Sequence, residues 1–287
     1  MRRLSRAFRN RAKSKSDGQD EDTSSDQQSN GIWHTRKNSI KTPQSTIIVP
    51  LYIYPSKQST WQPLYDAIDK HPDLNFLIIV NPNSGPGKPP WWPNKDYIRE
   101  LPLLNSRPNV TAIGYVSIDY CRRDIHEVLY DIQGYSEWPK DTMEAGVYVE
   151  GIFFDETPEK YSADHEMYLQ RLSDWARNSE GIQGDRLVVH NPGTMPDDAL
   201  SSSRPDVVCV FEDRYDRLNS GAETLLEKFD RRELCYMVHS VPKDEAWRTA
   251  KMLRSRAKYV FLTEAEERFY EDFGGSWREF VEAMAIA

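Results

Sequence analysis

Gly151-Ile152-Phe153-Phe154-Asp155-Glu156 decides the fold. The run is short and apolar up to its last two residues. That is the pattern of a strand buried on both faces, which parallel sheets require. The same pattern recurs at residues 47–52, 76–80, 111–116, 187–190, 207–211, 235–238 and 259–262, rich in Val, Ile, Phe and Tyr. Helical patterns lie between most of these runs, at 61–70, 95–105, 122–138, 164–178, 222–229 and 244–255. A last one, 264–284, is expected to break at Gly274-Gly275. Only the stretch after the fifth run, 196–203, is short. Eight strands, each followed by a helix or a rudiment of one, predict an α/β chain folded as a single-domain (β/α)8 TIM barrel over residues 46–287. An open doubly wound sheet is the rival. It would place a glycine-rich turn after its first strand, but here that turn reads Tyr52-Ile53-Tyr54-Pro55-Ser56.

Composition narrows the function. The chain has 287 residues, 38% hydrophobic and 29% charged, with a net charge of −8. Residues 1–45 carry ten Lys or Arg against five Asp or Glu, so the rest of the chain carries −13. Residues 1–45 hold too few apolar side chains to offset ordering entropy and are expected to form a disordered basic and polar tail. The tail reads as a solvated arm or as a targeting, membrane-surface or nuclear-localisation segment. The acidic body disfavours nucleic acid as a partner and suits a neutral or cationic ligand. No apolar run reaches the length of a membrane span. The basic start lacks the apolar core of a secretory signal, so the expected location is cytoplasmic, with export by an unconventional route left open. Cys209 and Cys235 lie in apolar runs and read as buried thiols. Three cysteines make neither a disulfide framework nor a zinc site.

In such a barrel the chemistry sits at the C-terminal ends of the strands. The residues there are polar throughout: Tyr52 and Tyr54, then Asn81 and Asn83, Ser117 and Asp119, Asp155 and Glu156, His190 and Asn191, Glu212, His239 and Thr263. The carboxylates are the sharpest feature. For eight strands about 4.8 Å apart and tilted roughly 36°, strands four and six stand about 11 Å apart across the barrel. Acids pointing inward from them would meet at roughly 5 to 8 Å, a span that covers both glycosidase geometries. Alternation forbids Asp155 and Glu156 from both pointing inward on a regular strand. By the same rule His190 faces away from Asn191. A divalent-metal site built from these acids competes, but no third inward acid with a His partner stands out, so neither metal nor other cofactor is expected. Trp91 and Trp92, in the loop after strand two, either stack on sugar rings or plug the mouth. The five tryptophans in helical patterns, Trp61, Trp138, Trp175, Trp247 and Trp277, read as core or helix-packing residues. The sequon at Asn109 says nothing without a secretory signal.

These motifs together resemble the spherulation-specific family 4 (spherulin 4-like) proteins, widespread in fungi. The matching segments are Val49-Pro50-Leu51-Tyr52-Ile53-Tyr54-Pro55, Ile79-Val80-Asn81-Pro82-Asn83-Ser84-Gly85-Pro86-Gly87, Ile113-Gly114-Tyr115-Val116, Gly151 to Glu156, Asn191-Pro192-Gly193 and Phe211-Glu212. They occur in order over about residues 47 to 220. The resemblance implies a (β/α)8 glycoside hydrolase that cleaves galactosaminogalactan at α-1,4 linkages, with Asp155, Glu156 and Glu212 as catalytic residues. Tyr52, Asn81, Asn83, Tyr115, Asn191 and His239, with Trp91 and Trp92, are the candidates for binding sugar. The expected partner is a polysaccharide or oligosaccharide substrate. The alternative is a non-catalytic intracellular barrel that binds a glycan or a protein during development or stress.

Overall fold

A computed structural model describes residues 44–88, 93–142, 144–203, 205–218 and 229–286. Eight parallel strands close a barrel in sequential order: β1 (Thr46–Leu51), β2 (Phe76–Val80), β3 (Val110–Ser117), β4 (Gly151–Asp155), β5 (Leu187–Asn191), β6 (Val207–Arg214), β7 (Leu234–His239) and β8 (Tyr259–Leu262). Closure is made by β1 on β8, with Thr46 opposite Tyr259 and Ile47 opposite Val260. Every residue of β1 and β2 is buried, because barrel interior and helix layer cover opposite faces of each strand.

Among the described residues six α-helices pack outside: α1 (Gln62–Lys70), α2 (Lys95–Asn105), α3 (Ile125–Asp141), α4 (Ala163–Asn178), α5 (Ala246–Arg256) and α6 (Trp277–Ala285). Their starts follow local chemistry. Asn94 accepts from the amides of Asp96 and Tyr97, Asp124 from that of His126, and Ser162 from that of His165. Such caps satisfy amides that have no partner within the helix.

Several expectations shift. The third helix begins at Ile125 rather than 122, because residues 119–121 form a turn in the left-handed region. The stretch after β5 forms a short 3-10 helix, Asp198–Ser203. The pattern at 264–284 yields a helix only from Trp277. Gly274 stands at φ 71°, and Glu264 accepts from the Gly275 amide, so the segment before it is an ordered loop. Trp61, Trp138 and Trp277 are buried as expected, whereas Trp175 and Trp247 stand exposed on the outer helices. The helical pattern at 222–229, apart from Phe229, lies outside the described residues, as do Trp91, Trp92 and the first 43 residues. The barrel reaches into the predicted tail by one residue. Ser45 is only 2% exposed, and its hydroxyl donates to the Ala257 carbonyl at 2.9 Å. Among the described residues no helix is long and apolar enough to cross a membrane. Cys209 and Cys235 are buried free thiols opposite one another on β6 and β7.

Candidate active site

β4 ends in Asp155, whose carboxylate reaches across to both neighbouring strands. Tyr115 of β3 donates its hydroxyl to Asp155 Oδ2 at 2.8 Å, and Asn191 of β5 donates Nδ2–H to Oδ1 at 2.7 Å. The Glu156 amide adds a third donor at 2.9 Å. Strand regularity stops at Glu156, which takes φ 56°. Its carboxylate turns toward β3 and accepts from Ser117 Oγ at 2.7 Å. The two adjacent acids divide at this break in the strand: Asp155 joins the β3–β5 network and Glu156 leans on the rim.

Glu212 reaches the same network through an irregularity in β6. The pairing of β6 with β7 shifts register between Cys209 and Phe211. Val208 faces outward, lining a pocket with His190 and with Leu169 of α4. On a regular strand Glu212, four residues later, would face outward too. The extra residue reverses the parity and aims Glu212 inward, as bulges beside active sites commonly do. Asn191 Nδ2 donates to Glu212 Oε2 at 2.5 Å, and the Tyr270 hydroxyl donates to Oε1.

One amide nitrogen thus bridges both acids. With its two N–H bonds at the trigonal angle, the nearest oxygens of Asp155 and Glu212 lie roughly 4.5 Å apart, just below the span expected from barrel geometry. Asn191 holds its own orientation through Oδ1, which accepts from the Gly193 amide at 3.0 Å.

Burial and charge act on both carboxyls in the same direction. Burial raises the pKa of Asp155 above the ordinary carboxylate value, and bonds from Tyr115, Asn191 and the Glu156 amide oppose the rise. Burial also raises Glu212, and the negative charge of Asp155 adds to it, against the bonds from Tyr270 and Asn191. Asp155 has three donors to stabilise its ionised form and Glu212 has two. Both carboxyls are thus held above the ordinary carboxylate range, and the charge of Glu156 adds to the rise at Asp155.

The other candidates divide. Tyr52 belongs to the centre, its ring edge-on to both Tyr115 and Tyr270 at 5.4 Å. Tyr115 and Asn191 bond the acids directly. Asn81 instead braces its own loop, accepting from the Gly85 amide at 3.0 Å, and the Asn83 amide donates to the Gly85 carbonyl. His239 stacks flat on Phe269, at 4.2 Å and 7°, and Phe269 meets Tyr270 edge-on. It therefore stands two rings away from Glu212. His190 faces outward as alternation predicts, toward Ser173 of α4. Buried Glu100 lies outside the mouth, accepting from Tyr65 of α1 at 2.6 Å. Among the described residues no group of three His, Cys, Asp or Glu is arranged to hold a metal ion.

Tyr270 is the residue that sequence reasoning missed. It lies in the segment read as helical, where Phe269, Tyr270 and Phe273 mimic an apolar helix face. The signal against a helix was the Gly274-Gly275 pair just beyond.

Comparison with known proteins agrees with this architecture. The sequence model of spherulation-specific family 4 (Spherulin4) matches residues 46–284. The structure of Aspergillus clavatus Sph3 in complex with GalNAc is similar at TM-score 0.79, with 43% identity over 85% of this chain and 98% of that one. More distant likenesses include ZgEngAGH5_4 in complex with a cellotriose, at 12% identity and TM-score 0.47, covering 85% and 96% of the two chains. Another is the GH18 chitinase ChiB of Flavobacterium johnsoniae, at 8% identity and TM-score 0.47, covering 84% and 93%. No curated protein sequence matches. With the family match spanning the whole barrel, and a relative of known structure at this identity over nearly all of its own length, the chain belongs to spherulation-specific family 4.

Proposed function

We propose that the chain is a glycoside hydrolase, endo-acting on a hexosamine-containing polysaccharide of the galactosaminogalactan type. The observation that carries the reading is the pair Asp155 and Glu212, bracketing one Asn191 amide at the C-terminal mouth of the barrel. Its spacing is close to that of retaining glycosidases, in which the second carboxyl acts as nucleophile. Asp155, with three donors to its oxygens, suits attack on the anomeric carbon. Glu212, raised by burial and by the charge of Asp155, suits protonation of the leaving oxygen. The glycosidic C–O bond breaks as the bond to Asp155 forms. Glu212, now ionised, then takes a proton from the water that displaces Asp155. Glu156 stands beside the pair with Ser117 as its donor and is placed to bind a substrate hydroxyl. Sph3, in complex with GalNAc, supports a hexosamine unit in the substrate.

The test is release of reducing ends from partly deacetylated galactosaminogalactan by the purified chain. Asp155→Asn and Glu212→Gln should each lower the rate by on the order of 10²- to 10⁴-fold. Binding of the polymer without cleavage by the wild type would replace this reading with a glycan-binding barrel.

A further inference from the structure

The loop after β3 contains three successive residues in the left-handed region: Asp119, Tyr120 and Cys121, at φ 45°, 54° and 66°. There the Cβ of an L residue crowds the backbone, so such residues occur singly and are mostly Gly, Asn or Asp. A run of three that includes an aromatic residue persists only where its surroundings fix it.

The surroundings are the acids of the mouth. The Tyr120 amide donates to the Glu156 carbonyl at 2.7 Å, and the Ile118 amide to the Asp155 carbonyl at 3.1 Å. Glu156 is itself left-handed, so two unusual turns are tied to each other through their backbones. The Arg122 amide closes the turn on the Asp119 carbonyl at 2.9 Å, and the Arg122 guanidinium pairs with the Asp119 carboxylate. Of the turn's apolar side chains Cys121 packs against the core, whereas Tyr120 is turned out of it. Tyr120 is 48% exposed, and its ring is oriented by the Arg122 guanidinium, 5.3 Å from the ring centre.

We infer that Tyr120 is a sugar-binding platform at the rim. It forms a subsite beside the scissile bond on the β3–β4 side and stacks on the apolar C–H face of a hexopyranose unit. The inference rests on the hydrolase reading above and adds to it a place where the polymer is held. A planar ring offered to solvent, on a loop whose backbone is tied to Glu156 through Tyr120 and to Asp155 through Ile118, matches the requirement. Stacking needs an apolar plane at a fixed height relative to the reacting bond, and the strained turn sets that height.

Tyr120→Asn separates this role from a structural one, because Asn tolerates the left-handed region and lacks the ring. On galactosaminogalactan, kcat/KM should fall about tenfold, equivalent to about 1.4 kcal/mol, while the melting temperature stays level or rises. Tyr120→Phe, which keeps the ring, should restore most of the loss. Wild-type kcat/KM in the Asn variant would overturn the inference. So would a loss accompanied by a melting temperature lowered by more than about 5 °C, since the residue would then be structural. A wild type that fails to cleave the polymer would refute the hydrolase reading itself and this subsite with it.

Discussion

Tyr270→Phe removes one oxygen from the protein and leaves Glu212 Oε1 without its donor. The ring contacts of Tyr270 with Tyr52, Phe261 and Phe269 do not depend on that oxygen, and its carbonyl still accepts from the Tyr52 amide. The change therefore acts on Glu212 rather than on the fold. A hydrogen bond to an ionised group is worth about 1.5 to 3 kcal/mol. Its loss disfavours the ionised form of Glu212, already pressed upward by burial and by Asp155. At 1.36 kcal/mol per tenfold change, ionisation becomes at least about tenfold harder. With Glu212 as the acid, the alkaline limb of the kcat/KM profile should climb by about one pH unit or more. The acidic limb should stay in place, because no bond links the Tyr270 hydroxyl to Asp155. The assay is the pH profile of kcat/KM for wild type and variant, with melts of both to show intact folding. An acidic limb that moves while the alkaline limb stays would mean that Glu212 works ionised, reversing the assigned roles. Two unmoved limbs would mean that the bond does not govern Glu212 at all.

Glu212→Gln should also stabilise the protein at neutral pH, by about 2 to 4 °C, because it removes a like charge beside Asp155. Both acids bind protons more tightly folded than unfolded, so their contribution to stability is complete below the ordinary carboxylate range and is lost as pH rises through the folded values. The gain in melting temperature should accordingly vanish near pH 4, and equal gains at every pH would contradict it. His190 runs the opposite way. Burial against α4 holds it down to about 3, so it stays neutral in the fold and costs stability as pH falls below the ordinary histidine value. His190→Gln should flatten the decline of melting temperature between about pH 6.5 and 4, and an unchanged slope would count against the assignment. Gly114 of β3 lies under the Tyr135 ring, where an added Cβ would come within 2.6 Å of Tyr135 Cζ. Gly114→Ala should therefore lower the melting temperature by on the order of 5 °C, from about 1 to 3 kcal/mol of overpacking; an undisturbed melt would show that the ring moves aside.

The strands were legible because a barrel strand is buried on both faces, and that demand is written locally as a short apolar run. All eight runs became strands: β2 and β8 kept their ends, β1 shifted by one residue and the other five lengthened, with polar residues following at the mouth. Asp155, Glu156, Asn191 and Glu212 were legible for the same reason: each stands at the point where a run meets the mouth. Sequence alternation also placed His190 outside and Asn191 inside, since β5 is regular across both.

The direction of Glu212 was not legible. Counting from Val208 by twos turns it outward, and only the slipped register of β6 on β7 turns it inward. Register is a property of two strands paired across the sheet, separated in the chain by the whole β6–β7 connection, and no local pattern encodes it. The donor Tyr270 was hidden similarly. Its spacing from Phe269 and Phe273 suits a helix, and the loop wins because Tyr270 finds Glu212, 58 residues away in sequence, along with the rings of Tyr52 and Phe261. Sequence thus determined which acids the barrel offers and at which end, through burial that each strand must satisfy alone. Tertiary structure decided which acids face one another and which donors hold them, because those depend on pairings between segments that only the closed barrel brings together.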